Sequence, residues 1–199
     1  MWPQAFLLLI AVGAAGAATL LGIVAALRGE RRRVRHAAVG ASVIAVGYLG
    51  LVISVAAAAP DRTLAPGEEK YICELDCHLA YSVVGVRRQR DTLYVRLNIR
   101  FDRGTIGSSR PLDAPVYPGS REVRLSDASG RIFRPISLGD LRRSLLPGEA
   151  YQTEIAFEVD PAVIGLVLFI SDADPSKRIL IGSDNAFFRT PVGFRLSGK

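Results

Sequence analysis

Two long apolar runs occupy the first sixty residues of the chain. Residues 6–27 and 37–59 contain no charged side chain over 22 and 23 positions. A helix needs about 20 apolar residues to cross the hydrocarbon core of a bilayer, and buried helices of soluble proteins seldom lack charge for that length. The pattern therefore predicts two transmembrane helices within residues 1–59, with the lipid bilayer as their partner.

The short connection at residues 28–36 is strongly basic. It contains a single acidic residue, Glu30, and the arginines Arg28, Arg31, Arg32, Arg33 and Arg35. Short loops rich in arginine stay on the cytoplasmic side of the membrane. These five arginines therefore predict a helical hairpin in the cell (inner) membrane, with the rest of the chain extracytoplasmic.

Small residues suggest how the two helices pack. Helices in lipid associate through close van der Waals approach, which small side chains permit. The candidates at suitable spacing are Gly13, Gly16 and Ala17 in the first helix and Gly40, Gly47 and Ser54 in the second. They predict the face through which the helices contact each other.

A cleaved signal peptide is the alternative interpretation of the second run. The arginines, the apolar stretch and the alanines at residues 57–59 imitate a signal sequence with a small-residue cleavage site. The run is longer than the 7–15 residues of a typical signal core, and another full-length run precedes it. An uncleaved anchor is therefore preferred.

After a linker at residues 60–70, the pattern changes to short segments with a period of two, which is typical of half-buried strands. The strongest is residues 92–101, in which Leu93, Val95, Leu97 and Ile99 share one face. Further runs occur at residues 78–86, 122–125, 131–136, 151–159, 165–171, 178–181 and 192–196. Seven or eight strands separated by Pro-Gly, Ser-Gly and Asp-Pro turns predict an all-β, immunoglobulin-like sandwich over residues 71–199, with a helical crossover between the sheets at residues 138–146.

Several of these segments together resemble a known family. The chain carries SVVGVRR, TLYVRLNIRF, DASGRIFRPI and LLPGEAYQTEIAFEVDPAV in that order across residues 71–181. This order is similar to that of the telokin-like, immunoglobulin-fold domains of bacterial secreted proteins and lipoproteins. The resemblance implies a sandwich in the envelope and no particular activity, since most members have no assigned role and a fold alone does not define a function.

The two cysteines lie four positions apart, at Cys73 and Cys77, and His78 follows them directly. Outside the cytoplasm such a pair is most often oxidised, so a disulfide between Cys73 and Cys77 is the preferred prediction. The alternative is a metal site in which both thiolates and the His78 imidazole bind copper or, less favourably, the motif attaches haem. Reduced, buried or intermolecular cysteines are the remaining possibility.

Charge and histidine content narrow the function classes. Beyond residue 60 the chain has 20 basic and 18 acidic residues, which predicts no nucleic-acid partner. His78 is the only histidine there, so no acid-base pair can be named, and we expect neither catalysis nor a cofactor. The long Gly/Pro/Ser-containing loop at residues 103–120 is the best location for a binding surface. The leading hypothesis is thus a membrane-anchored binding or scaffolding module with an envelope-protein partner, and the alternative is a redox or metal-handling protein.

Overall fold

The computed structural model describes residues 2–72, 78–107, 111, 113–119 and 121–196, with side chains from residue 6 onward. The chain forms two compact units. One comprises Met1–Pro60 together with Pro175–Arg189, and the other comprises Asp61–Asp174 together with Thr190–Lys199. We describe the helical unit first and the β unit second.

Helices α1 (Trp2–Leu27) and α2 (Arg31–Ala58) form an antiparallel hairpin whose turn is shorter than predicted. Gly29 has a φ of +74°, and the N–H groups of Gly29 and Glu30 donate to the carbonyls of Ala26 and Ala25. This is the Schellman arrangement, which satisfies the last carbonyls of a helix and favours glycine. Because arginine is a good helix former, Arg31 already begins α2.

The helices contact each other through a face that differs from the predicted one. The less exposed residues of α1 recur at spacings of three and four, at Leu8, Ala11, Ala15, Ala18, Gly22 and Ala25. A Cβ placed on Gly22 would lie 3.2 Å from Cβ of Ala37. The glycines Gly13, Gly16 and Gly47 are exposed, as are Ala17 and Ser54, and only Gly40 of the predicted set is half-buried. Alanine-rich helices offer small residues on several faces, and here alanines at heptad spacing permit the close approach.

The segment Pro175–Arg189 belongs to the helical unit and is not a strand. Residues 178–181 were predicted to be one, but Pro175–Ile179 forms a short 3₁₀ helix and turns follow it. The hydroxyl of Tyr48 in α2 donates to the carbonyl of Ile179 over 2.9 Å. This contact uses a backbone group that a strand would have paired within a sheet.

The β unit is a sandwich of two five-stranded sheets, so the general prediction is confirmed. The strands are β1 (Thr63–Leu64), β2 (Lys70–Ile72), β3 (Leu79–Gln89), β4 (Thr92–Phe101), β5 (Arg121–Ser126), β6 (Ile132–Phe133), β7 (Pro135–Ser137), β8 (Ala150–Glu158), β9 (Val167–Asp172) and β10 (Gly193–Arg195). The first sheet has the order β1-β10-β9-β5-β6 and the second β2-β3-β4-β8-β7. Neighbouring strands are antiparallel except β1 and β10.

One apolar core lies between the sheets. The inward side chains of β4 are buried as the alternation predicts, whereas Arg96 points to solvent. They meet fully buried residues of the opposite sheet, among them Leu125, Leu168 and Ile170. The core thus joins residues from Leu64 to Leu196, nearly the whole length of the β unit.

Two predictions near the middle of the chain were wrong in detail. Residues 131–136 form two strands, with β6 in the first sheet and β7 in the second, so the chain changes sheet at Arg134. Residues 138–146 contain turns and no helix, and they connect β7 to its neighbour β8 within one sheet. Gly139 has a φ of +55° there, and a Cβ on it would lie 2.5 Å from the carbonyl oxygen of Glu154. Packing against β8 therefore decides the conformation of this segment.

Leu97→Ala should lower the free energy of unfolding by about 2 to 5 kcal/mol, because the Leu97 side chain is fully buried at the centre of the core. Urea unfolding of the detergent-solubilised full chain, followed by near-UV circular dichroism, measures this. The control is Gln152→Ala, at an exposed position of β8. It should change the free energy of unfolding by about 0.5 kcal/mol or less. Equal midpoints for the two variants would contradict the assignment of the core.

Candidate functional site

The predicted cysteine site is only partly described. Cys73 and Cys77 lie outside the described residues, so their disulfide stays a prediction, as does their part in a metal site. His78 is described and is buried immediately before β3. Its ring stacks on Phe101, the last residue of β4, with 5.5 Å between the ring centroids.

Hydrogen bonds hold the His78 ring in place. Nδ1 lies 2.6 Å from Oγ1 of Thr105, and the Thr105 hydroxyl donates its single proton to the carbonyl of Asp102 over 2.7 Å. This arrangement favours the tautomer in which Nδ1–H donates to the hydroxyl. A hydrogen bond at one ring nitrogen also orients the histidines that bind metals.

A polar cluster surrounds the end of β4. Arg100 binds Glu69 through two hydrogen bonds, of 2.8 and 3.0 Å, and it also contacts Asp102. The hydroxyl of Tyr71 donates to Oδ2 of Asp102 over 2.5 Å, and the N–H of Gly104 donates to Oδ1. We call Glu69, Tyr71, Arg100 and Asp102 the β4-end cluster.

The cluster shifts the titration of its members. The hydrogen bond from Arg100 holds the pKa of Glu69 below its ordinary value. The pKa of Asp102 is also lowered, first by the hydrogen bond from Tyr71 and next by that from the Gly104 N–H. The same bond to Asp102 raises the pKa of Tyr71. The site is thus built from ionised carboxylates and a protonated phenol at neutral pH.

A second ion network covers the outer surface of the same sheet. Glu154 on β8 binds Arg87 on β3 and Arg96 on β4, with N to O distances of 3.0 and 3.1 Å. The guanidinium of Arg87 also lies 3.9 Å from the centre of the Tyr94 ring. Arginines that alternate along these strands are therefore paired within the fold.

Lys70 on β2 is buried and connects the two sheets, a feature that the sequence pattern did not predict. Its ammonium group donates to the carbonyl of Ile170 over 2.9 Å and to that of Val192 over 2.7 Å. Ile170 lies in β9 of the opposite sheet, and Val192 directly precedes β10 of that sheet. A buried ammonium group needs such partners, so Lys70 holds β2 in place next to the predicted cysteine site.

The loop predicted to bind partners is attached to the connection between β7 and β8. Its first residues, Arg103–Thr105, form a 3₁₀ turn capped by Asp102. Further along, Val116 and Leu145 exchange two backbone hydrogen bonds of 2.9 and 3.0 Å. Residues 108–110, 112 and 120 lie outside the described residues. The described part of the loop is therefore held beside residues 138–146.

A cleft of about 540 Å³ opens at this connection. Its described lining consists of Arg121, Leu138, Gly139, Asp140, Leu141, Arg142 and Arg143. Sequence reasoning missed this site, because Arg121 is distant from the other two arginines and the overall charge of the β unit is nearly balanced. The adjacent pair Arg142-Arg143 beside a glycine was the only available signal.

Comparison with known proteins assigns neither a family nor a function to the chain. No family model matches the chain, and no curated protein matches it in sequence. The yjhA protein from Bacillus subtilis is 15% identical, with a TM-score of 0.42, and the match covers 67% of this chain and 98% of that chain. MPT63, a secreted protein from Mycobacterium tuberculosis, is 13% identical, with a TM-score of 0.40 and coverage of 58% and 99%. Both are small β-rich proteins, and the telokin-like type itself stays a prediction.

The β4-end cluster should make stability depend on pH in the acid range. Because the pKa values of Glu69 and Asp102 are lowered on folding, their contribution is complete above their ordinary values of 4.5 and 3.8 and is lost as pH falls through the lower folded values. The double variant Glu69→Gln, Asp102→Asn should melt below the wild type at about pH 7 and approach it near pH 3. Thermal melts at several pH values measure this difference.

Glu122→Gln, an exposed position on β5, serves as the control and should leave the pH profile as it is in the wild type. A gap between wild type and double variant that stays constant down to about pH 3 would show that the two carboxylates do not act through their charge.

Proposed function

We propose that this chain is a membrane-anchored, extracytoplasmic binding or scaffolding module of the bacterial envelope, with an immunoglobulin-like sandwich of the telokin-like type. The outer surface of the helical hairpin carries the first half of this proposal. Large apolar side chains there are open, with Phe6 64%, Leu9 67% and Val46 71% exposed. A continuous apolar surface of this kind marks contact with lipid or protein, and the lengths of α1 and α2 suit a bilayer.

The few polar groups of the hairpin fit a lipid environment. The hydroxyls of Thr19 and Ser54 each donate to the carbonyl four residues earlier in their own helix, over 2.8 Å. Such bonds satisfy a hydroxyl where water is absent. The five arginines at the turn and at the start of α2 would then hold this end of the hairpin in the cytoplasm.

The second half of the proposal is binding without catalysis. The loop at residues 103–120 would supply the contact surface for an envelope protein. Its support is the pair of hydrogen bonds between Val116 and Leu145, since a loop attached to a sheet connection loses less conformational entropy on binding than a free one.

A redox or metal-handling role is the second candidate, and the position of His78 favours it. The contact with Thr105 holds the ring at Nδ1, as a hydrogen bond does in many metal-binding histidines, and His78 is next in sequence to Cys77. Elemental analysis and thiol counting on the purified full chain distinguish the two candidates. Copper or zinc at one equivalent, lost in His78→Ala, would support the metal site, whereas two oxidised cysteines without metal would support the disulfide.

The orientation of the hairpin is a direct prediction. A reporter that is active only outside the cytoplasm should work after Lys199 and fail when inserted between Arg31 and Arg35, because the arginines retain their loop on the cytoplasmic side. Intact-mass measurement should find the chain uncleaved. A cytoplasmic C-terminus would contradict the anchor, and a mature chain beginning near residues 57–59 would identify a signal sequence instead.

Tyr48 gives an independent test of membrane insertion. It lies about 18 Å along α2 from Pro60, near the middle of a span, whereas the segment that accepts its hydrogen bond carries Lys177, Arg178 and Arg189. Irregular, charged backbone is excluded from lipid at that depth, so insertion should break the bond to Ile179. Tyr48→Phe should then leave the melting temperature unchanged in lipid nanodiscs, whereas a loss of several degrees would show that the contact persists and that α2 is not inserted at that depth.

The binding role of the loop can be tested by replacement. Exchanging residues 106–114 for a Gly-Ser linker of equal length should abolish the capture of envelope proteins by cross-linking, while the melting temperature stays near that of the wild type. The control replaces the β5–β6 turn at residues 127–130 in the same way. Unchanged cross-linked partners in the first variant would exclude this loop as the contact surface.

A further inference from the structure

We propose that a cavity at the turn of the helical hairpin binds the head group of an anionic phospholipid. The cavity is lined by the last turns of α1 and the first turns of α2 and has a volume of about 370 Å³. Polar side chains line it nearest the turn, and these are Arg28, Glu30, Arg33 and His36. Small and apolar residues line the rest. The inference rests on the proposed membrane anchor and adds a specific ligand to it.

The hairpin cannot neutralise the positive charge of this site by itself. Glu30 is the only acidic residue among the first sixty of the chain, whereas the turn and the start of α2 carry five arginines. The carboxylate of Glu30 binds Arg33 over 2.6 Å. Arg28 also lines the cavity, is exposed, and has no further carboxylate of the hairpin to bind. A concave site with an excess of positive charge attracts anions.

The start of α2 adds to this positive charge. The N-terminus of a helix is the positive end of its dipole, so acidic residues are favoured in the first turn. The first turn of α2 contains no acidic residue and begins with three arginines in succession. Its N-cap residue, Glu30, makes no capping hydrogen bond through its side chain. A phosphate group bound beside this turn would therefore stabilise the start of the helix.

The apolar part of the cavity favours a lipid over a free phosphate ion. Leu21 and Val24 line it and are exposed, and the small residues Ala18 and Gly40 keep the groove beside them open. At 1.5 Å per residue, Ala18 lies about 15 Å along α1 from Arg28. This length accommodates a glycerol group and the first part of an acyl chain. A free phosphate ion would use the arginine end alone.

The polar and apolar parts follow each other in the order that a bilayer requires. The arginines would place the turn at the cytoplasmic surface, where the phosphates of the lipids lie. From there the helices run into the hydrocarbon core, in the same direction as the acyl chains. The cytoplasmic leaflet carries anionic lipids, and basic pockets between membrane helices on that side bind their head groups.

Native mass spectrometry of the purified full chain in detergent tests the proposal. The probes are phosphatidylglycerol, which is anionic, and phosphatidylcholine, which has no net charge. We expect one phosphatidylglycerol to bind with a Kd at least about fivefold lower than that of phosphatidylcholine. Inorganic phosphate should not displace it. Equal affinity for the two lipids, or displacement by inorganic phosphate, would overturn the proposal.

A pair of charge variants separates a defined site from a diffuse attraction. R28Q removes an arginine from the lining and should raise the Kd for phosphatidylglycerol about fivefold. R32Q removes the same charge from an exposed position outside the lining and should bind as the wild type does. Equal losses in the two variants would show that the arginines act only through their total charge, and the site would be wrong.

A pair of glycine variants tests the groove without changing the charge. A Cβ on Gly40 or on Gly47 would have nothing within 4 Å, so both positions of α2 have room for a larger side chain. G40L should fill part of the groove and raise the Kd for phosphatidylglycerol at least about fivefold, whereas G47L, outside the lining, should leave it unchanged. Wild-type affinity in G40L would contradict the groove.

The failure of this inference can be distinguished from the failure of the anchor. Lipid binding in detergent does not depend on the orientation of the hairpin in the cell. A reporter that places the C-terminus in the cytoplasm would overturn the anchor. Loss of the preference for phosphatidylglycerol in a chain with the expected orientation would overturn the lipid site alone.

Discussion

The burial of alternate side chains of β4 is the constraint on which the β unit depends. This strand lies between β3 and β8 and pairs with both over nearly its whole length. Its inward side chains, Leu93 to Phe101, are almost completely removed from water. At roughly 1.5 to 3 kcal/mol for each large apolar side chain, no other strand among the described residues contributes so much from one continuous stretch. This row of buried side chains has to be in place before the two sheets can pack, before Lys70 can bond across them and before the loops at the strand ends are positioned.

The end of β4 also positions the parts of the molecule with functional potential. Phe101 exchanges backbone hydrogen bonds with Gly148 and Glu149, and its ring contacts His78. The next residue, Asp102, donates its N–H to the carbonyl of His78 and caps the first turn of the long loop. One strand end therefore holds the histidine beside the predicted cysteine site, the loop at residues 103–120 and the turn before β8. The candidate functional residues lie there because the core fixes the backbone that carries them.

The helical unit differs from the β unit in how its backbone and its apolar side chains are satisfied. Its helices satisfy their own backbone groups and leave large apolar side chains exposed, an arrangement that a lipid environment allows. Small residues at heptad spacing allow close contact between α1 and α2, while Gly29 closes the turn. The arginines beside that turn contribute little to packing. In the proposed membrane anchor their place in the chain would matter, because charge, and not shape, orients a hairpin in a membrane.

The sequence by itself determined the apolar helices and the strand pattern, because period and length depend only on local side-chain order. The 92–101 strand and the two helical runs were predictable for this reason. Tertiary structure alone decided that residues 131–136 change sheet, that residues 178–181 are not a strand, and that Lys70 reaches carbonyls a hundred positions away. It also brought Arg121 to Arg142 and Arg143, whose charges look unremarkable along the chain. Such features follow from contacts between distant segments, which a local pattern does not contain.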